Sequence, residues 1–158
     1  MPPIAAAPPP PDLATVLERT HWARDLGFAP LATFARFLER RDIAAGAYVF
    51  RQGDTERFLC TLVRGSVEIL KQNSGEDDRQ LARFTEGKSF GEIALVDHEP
   101  RSAAARATER SEVLVLTDEQ FEALASAHPR LGTSVAMGIA RILSGRLRMT
   151  SGRLVDLL

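Results

Sequence analysis

After Arg41, glycine recurs at positions 46, 53, 65, 75, 87 and 91. Between these glycines lie short segments rich in Val, Ile, Leu and Phe: AYVF, RFLCTLV, SVEILK and RQLARF. Turn signals every 7 to 12 residues around short apolar segments predict antiparallel β-structure closed as a sandwich or barrel. VRGSVEIL reads as a hairpin with Arg64-Gly65 at its turn. SAAARATE and SEVLVL read as two further strands.

Helical patterns flank this region. Asp12 is placed to cap DLATVLERTHWARDL, which carries Leu13, Val16, Leu17, Trp22 and Leu26 at helical spacing. Gly27 breaks that pattern, and Pro30 can start a second helix, PLATFARFLERR, with Leu31, Phe34 and Phe37 on one face. Helix returns at Asp118, where Thr117 and Gln120 have capping-box spacing and Pro129 ends one helix or starts the next. In the last segment, positions 136, 140, 143, 147, 150, 154 and 157 fall at 4-3 spacing, the seam of a two-helix contact. The same helix can also simply pack on the β-core, both readings can hold, and Gly138, Gly145 and Gly152 weaken the self-association seam. The first eleven residues contain six prolines and no basic start, so they read as a disordered or polyproline tail rather than a secretory signal. The expected organisation is a tail at 1–11, N-terminal helices at 12–40, a β-domain at 41–117 and C-terminal helices at 118–158.

The balance of charge narrows the function. With 20 basic against 21 acidic residues the net charge is −1, which gives no footprint for DNA or RNA. The single cysteine, Cys60, cannot form an internal disulfide, sits in an apolar run and reads as core in a cytoplasmic protein. No run approaches the ~18 apolar residues of a membrane span. EGKS at 86–89 ends like a phosphate-binding loop, but Ala82 stands where that motif needs glycine. Asp97, His98 and Glu99 are adjacent and cannot easily converge on one metal ion. His21, His98 and His128 show no triad spacing.

One stretch is different: FGEIALVDHEPRSAA, residues 90–104. Gly91 allows close backbone approach to a ligand. Glu92 offers two acceptor oxygens to a donor pair such as sugar hydroxyls. Residues 92–98 suit a short helix whose first amides favour an anion. Arg101 supplies a planar fork for phosphate, beside the small residues Ser102, Ala103, Ala104 and Ala105. A nucleotide with ribose and phosphate fused would use all of these, whereas a surface Glu92–Arg101 ion pair would stabilise little.

The chain resembles the cyclic nucleotide-binding domain family. AGAYVFRQGD looks like its first strands, LVRGSVEIL like its glycine hairpin, FGEIAL with PRSAA like its phosphate-binding cassette, and SEVLVLTDEQFEAL like its last strands and following helix. The resemblance covers residues 30 to 148. It implies an antiparallel β-roll, a jelly-roll-like fold, with helices before and after it. It implies that Glu92 accepts from the ribose 2′-hydroxyl and Arg101 pairs with the exocyclic phosphate. The amides of Gly91, Ala94 and Ser102 would complete the phosphate site, with Phe90, Ile93 and Ala103 close by and the final helix capping the base. Members that lose binding tend to lose the Glu or the Arg, and both are present here.

The expectation is therefore a cytoplasmic, non-enzymatic sensor of cyclic AMP or cyclic GMP, with cyclic AMP favoured and no cofactor or metal. It would relay a conformational change through its C-terminal helices. The alternatives are a ligand-independent interaction module, or a regulatory piece of a channel, transporter or transcription factor. Expected partners are the nucleotide, a second copy through the C-terminal helix and an effector that the sequence does not identify. About ten residues follow Arg148, too few for a helix-turn-helix, so direct DNA binding is not expected.

Overall fold

The computed structural model describes residues 12–72 and 77–157. The expected Pro-rich tail at 1–11 and the turn glycine at 75 lie outside the described residues.

Among the described residues, eight strands form two four-stranded antiparallel sheets; the glycine rhythm predicts antiparallel structure, and the resemblance implies this β-roll with flanking helices. One sheet has the order β1-β8-β3-β6, from Glu39–Ile43, Ser111–Thr117, Phe58–Arg64 and Ser89–Phe90. The other has the order β2-β7-β4-β5, from Tyr48–Phe50, Ala104–Ala107, Val67–Gln72 and Asp78–Phe84. The expected hairpin at Arg64-Gly65 is not one. β3 and β4 belong to different sheets, so the chain turns a corner between them. A register shift between Leu62 and Arg64 bends β3 there. Gly65 follows at φ 95°, where an added Cβ would stand 2.3 Å from the Ser111 hydroxyl. Only glycine fits that corner.

The N-terminal segment also departs from expectation. The first helix is two, α1 (Leu13–Leu17) and α2 (His21–Leu26), because extended Thr20 restarts the chain and its side chain accepts from the Trp22 amide. α3 (Leu31–Ala35) stops short of Arg41. Glu39 to Ile43 pair with Val115 to Ser111 instead, and Arg40 meets Glu112 at 2.6 Å. Strand pairing overrides the helical propensity of LERR.

SEVLVL is buried on both faces because β8 separates two cores. Val113 and Val115 point into the roll with Phe50, Phe58, Cys60 and Phe90. Leu114 and Leu116 point outward beneath Leu17, Trp22, Phe34 and Leu124. After β8 the Thr117–Gln120 capping box starts α5 (Asp118–Ala127), and Pro129 opens α6 (Pro129–Leu157). α6 buries Leu131, Val135 and Ile139. Gly138 is a fit rather than a weakness, since an added Cβ would lie 2.7 Å from the Trp22 ring. The 4-3 stripe lies off this buried face: Ala136, Ala140, Leu147, Thr150 and Leu154 are exposed and Leu143 is half-buried. The Leu157 side chain lies outside the described residues.

Candidate functional site

β6 leads through Gly91 into α4 (Glu92–Asp97). Gly91 adopts the left-handed conformation at φ 77°, and an added Cβ would lie 3.0 Å from Arg101 Nη1 and 3.1 Å from the Phe50 ring. The sequence needs glycine here for both reasons. α4 ends at His98, also left-handed at φ 61°. The chain returns toward β7 with Arg101 clamped at both backbone groups: its amide donates to Asp54 O and its carbonyl accepts from Gly53 N, each at 2.8 Å.

The Arg101 side chain is buried. Nη1 donates to Gly91 O at 2.6 Å and Nη2 to Phe58 O at 2.7 Å. The guanidinium lies 3.9 Å from the Phe50 ring centre and 4.6 Å from that of Phe58. Burial lowers its pKa from the ordinary value, opposed by Cys60, Glu92, Asp54 and Glu56. The group stays charged, because arginine starts from so high a value. Cys60 beside it is a core thiol that burial pushes up to about 12, which leaves it unreactive.

Glu92 is 0% exposed. Its Oε1 accepts from Nη1 of Arg146 on α6, and Arg146 Nη2 donates to the Ser89 carbonyl at 2.6 Å. Arg146 also lies 4.9 Å from the Phe84 ring centre. Glu92 and Arg101 are therefore not partners in a solvated ion pair. Each is buried, and each keeps one atom without a hydrogen bond: Glu92 Oε2 and Arg101 Nε. They are the two such side-chain atoms among the described residues. A buried acceptor and a buried donor left open are costly unless something else completes them.

Both residues line one cavity of about 630 Å³. All eight residues singled out in the sequence border it: Phe90, Gly91, Glu92, Ile93, Ala94, Arg101, Ser102 and Ala103. The resemblance implies that the roll and the final helix complete the wall, but their residues are not identified from the sequence. β5 contributes Leu81 to Phe84, and α6 contributes Arg146, Met149, Thr150 and Arg153. Those four α6 positions share one face at i, i+3, i+4, i+7 spacing; Thr150 falls in the 4-3 stripe, and the search for apolar periodicity passes over the two arginines.

His21 Nε2 lies 2.6 Å from Ser89 Oγ, and Nδ1 lies 2.8 Å from Asp25 Oδ2. Folding brings together groups 68 residues apart, which no local spacing shows. None of the three borders the cavity and Ser89 is 4% exposed, so this is no nucleophile. No helix among the described residues is long and apolar enough to cross a membrane, and no group of three or more metal-ligating side chains is present among them.

The profile of the cyclic nucleotide-binding domain family matches residues 40–128. The cyclic AMP receptor protein of Thermus thermophilus is 36% identical over 112 residues, which are 71% of this chain and 50% of that protein. The crystal structure of the Thermus thermophilus catabolite activator protein superposes with a TM-score of 0.72 at 32% identity, covering 90% of this chain and 62% of that one. A cyclic nucleotide-binding domain from Methylobacillus flagellatus shares the fold at a TM-score of 0.79 and 20% identity, covering 93% and 82%. The chain thus spans half the length of the curated Thermus relative.

Proposed function

The chain belongs to the cyclic nucleotide-binding domain family, and from that premise we propose that the cavity holds cyclic AMP and that α6 reports its occupancy. The observation that carries this reading is the pair of open, buried atoms on two residues that line the cavity. Glu92 Oε2 needs a donor, and a ribose 2′-hydroxyl is one. Arg101 Nε–H needs an acceptor, and an exocyclic phosphate oxygen is one. The amides of Gly91, Ala94 and Ser102 lie on the same wall and are assigned to the phosphate. The base then rests against Ile69, Leu81 and Phe84 of the roll, under Met149 and Thr150 of α6.

The ligand lies between roll and helix, so each state of α6 contacts it differently. A ligand with that differential contact shifts the population of the docked helix. This is the basis for assigning a sensor role with α6 as the output; a non-enzymatic and cytoplasmic setting is part of the same proposal. The exposed stripe through Ala136, Ala140, Leu147 and Leu154 suits a second copy of the chain, which would carry the signal across a dimer.

Competition calorimetry with cyclic AMP and cyclic GMP tests the reading. Saturable binding of both, tighter for cyclic AMP, is the expected result. Absence of heat and of thermal shift with either nucleotide would leave a ligand-independent interaction module as the better account.

A further inference from the structure

The Ser89 carbonyl that holds Arg146 belongs to a residue whose side chain is itself held. Trp22 Nε1 donates to Thr61 Oγ1 at 2.9 Å, Thr61 Oγ1 lies 2.8 Å from Ser89 Oγ, and Ser89 Oγ lies 2.6 Å from His21 Nε2. An indole N–H can only donate and the Asp25 carboxylate at Nδ1 can only accept, and the two together set the direction of the chain for neutral His21. Thr61 accepts from Trp22 and donates to Ser89. Ser89 then donates to His21 Nε2. That nitrogen is unprotonated, and Nδ1–H points at Asp25. One neutral tautomer satisfies every member.

The same helix holds α6 at further points. Trp22 fills the notch at Gly138. Asp25 Oδ1 lies 3.8 Å from Arg141 Nη1, a little over one turn before Arg146. The ribose end of the site therefore reaches α2 by two routes: from Glu92 through Arg146 and the Ser89 carbonyl, and from Arg146 along α6 to Arg141 and Asp25.

We propose that His21, with Asp25 and Ser89, is a positioning unit for the ribose end of the nucleotide site, and that proton uptake by His21 weakens nucleotide binding. The inference rests on the nucleotide reading of the cavity. Protonated His21 would present an N–H to Ser89 Oγ, so Ser89 would have to turn its hydroxyl hydrogen to Thr61, and the buried Thr61 hydroxyl hydrogen would lose its acceptor. The new charge would face Arg24 on its own helix, Lys88 before β6 and Arg141 on α6, with Asp25 as counter-charge. It would also compete with Arg141 for Asp25. Both routes to Arg146 would loosen, and Glu92 would lose the donor that holds its Oε1 in place. Burial already lowers the His21 pKa from 6.5, against the pull of Asp25, in keeping with a neutral resting state.

The test is calorimetric titration with cyclic AMP from about pH 8 down to about pH 5.5, the interval in which histidine titrates. Wild type, His21→Gln and Ser89→Ala are compared. Glutamine can accept from Ser89 but takes up no proton, and alanine cuts the chain while leaving His21 free to titrate. Wild-type affinity is expected to fall about tenfold across the interval, the size of one lost hydrogen bond to a charged group. Both variants are expected to bind somewhat more weakly at high pH; His21→Gln should then show a flat profile, and Ser89→Ala only the shallower fall that runs through Asp25 and Arg141. Superimposable pH profiles in all three, with binding intact at about pH 8, would overturn the inference and leave the site assignment standing. No wild-type binding at the upper pH would sink the nucleotide reading, and the inference with it.

Discussion

The two walls of the cavity differ in how they are held. The cassette wall, residues 90–103, is fixed by buried contacts: Arg101 is 6% exposed and clamped at its backbone, and Glu92 is 0% exposed. The α6 wall is held loosely. Beyond Arg146 its residues are exposed, Met149 by 62% and Leu147 by 68%. A rigid wall selects a ligand, because it presents the same open atoms whether or not the ligand is there. A lightly held wall can report a ligand, because small differential contacts suffice to move it. If this division is right, damage to the cassette abolishes binding and damage to α6 only moderates it.

The largest expected effect is therefore Arg101→Ala. It deletes the Nε–H donor assigned to the phosphate and leaves Gly91 O and Phe58 O without theirs. Cyclic nucleotide affinity should drop about a hundredfold or more, with some loss of stability from the unpaired carbonyls. Arg101→Lys should fall between, since charge is kept and the fork is lost. Unchanged affinity by calorimetry in a cooperatively melting Arg101→Ala protein would remove the phosphate assignment.

Glu92 comes next and allows a chemical cross-check. Wild type should lose about tenfold in affinity for 2′-deoxy cyclic AMP, the size of one charge-assisted hydrogen bond. Glu92→Ala should bind cyclic AMP and its 2′-deoxy analogue alike, because the acceptor that told them apart is gone. A Glu92→Ala protein that still discriminates the two would move the ribose elsewhere on the wall.

This difference between walls also decides what the sequence could reveal. Phe90 to Ala103 are contiguous, so their chemistry can be read as one phrase, and the glycine rhythm around them announces strands. Arg146 is joined to Glu92 across 54 residues, and nothing near RLRMTSGR marks it as a partner. His21 and Ser89 are hidden in the same way. The Arg64-Gly65 turn was visible but its geometry was not, because a corner between sheets and a hairpin use the same glycine. The LERR segment shows the reverse error, where local helix propensity yields to a register set by β8. Local chemistry is legible in this chain. Long-range pairing is not, because it depends on which surfaces the fold brings together.

On the α6 wall, Arg146→Met should weaken cyclic AMP by less than Glu92→Ala does, about three- to tenfold, since it removes support from Glu92 Oε1 and leaves Oε2 in place. Met149→Ala should lower affinity less still, because that side chain is mostly exposed already. Association and dissociation rates measured by stopped flow sharpen the comparison. A loosened lid should speed dissociation and leave association nearly unchanged. If either variant matches the loss in Arg101→Ala, α6 is part of the selecting wall and the division between walls fails.

The smallest expected effect concerns stability alone and is read without nucleotide. His21 has its pKa lowered in the folded state, mainly by burial, from an ordinary value of 6.5. The unfolded chain therefore takes up the proton first as pH falls. The contribution of neutral His21 is fully present above about 6.5 and is lost progressively as pH drops from there through the lowered folded pKa. Denaturant midpoints should fall in that window for wild type and fall less for His21→Gln, whose side chain does not titrate. Carboxylates with ordinary values titrate mostly below this range, so the difference between the two proteins isolates His21. The effect belongs to the helices that hold α6 rather than to the cassette. Arg101→Lys, which alters the opposite wall, should keep the wild-type pH dependence. A pH response that moved with Arg101 instead would mean that the two walls are one mechanical unit.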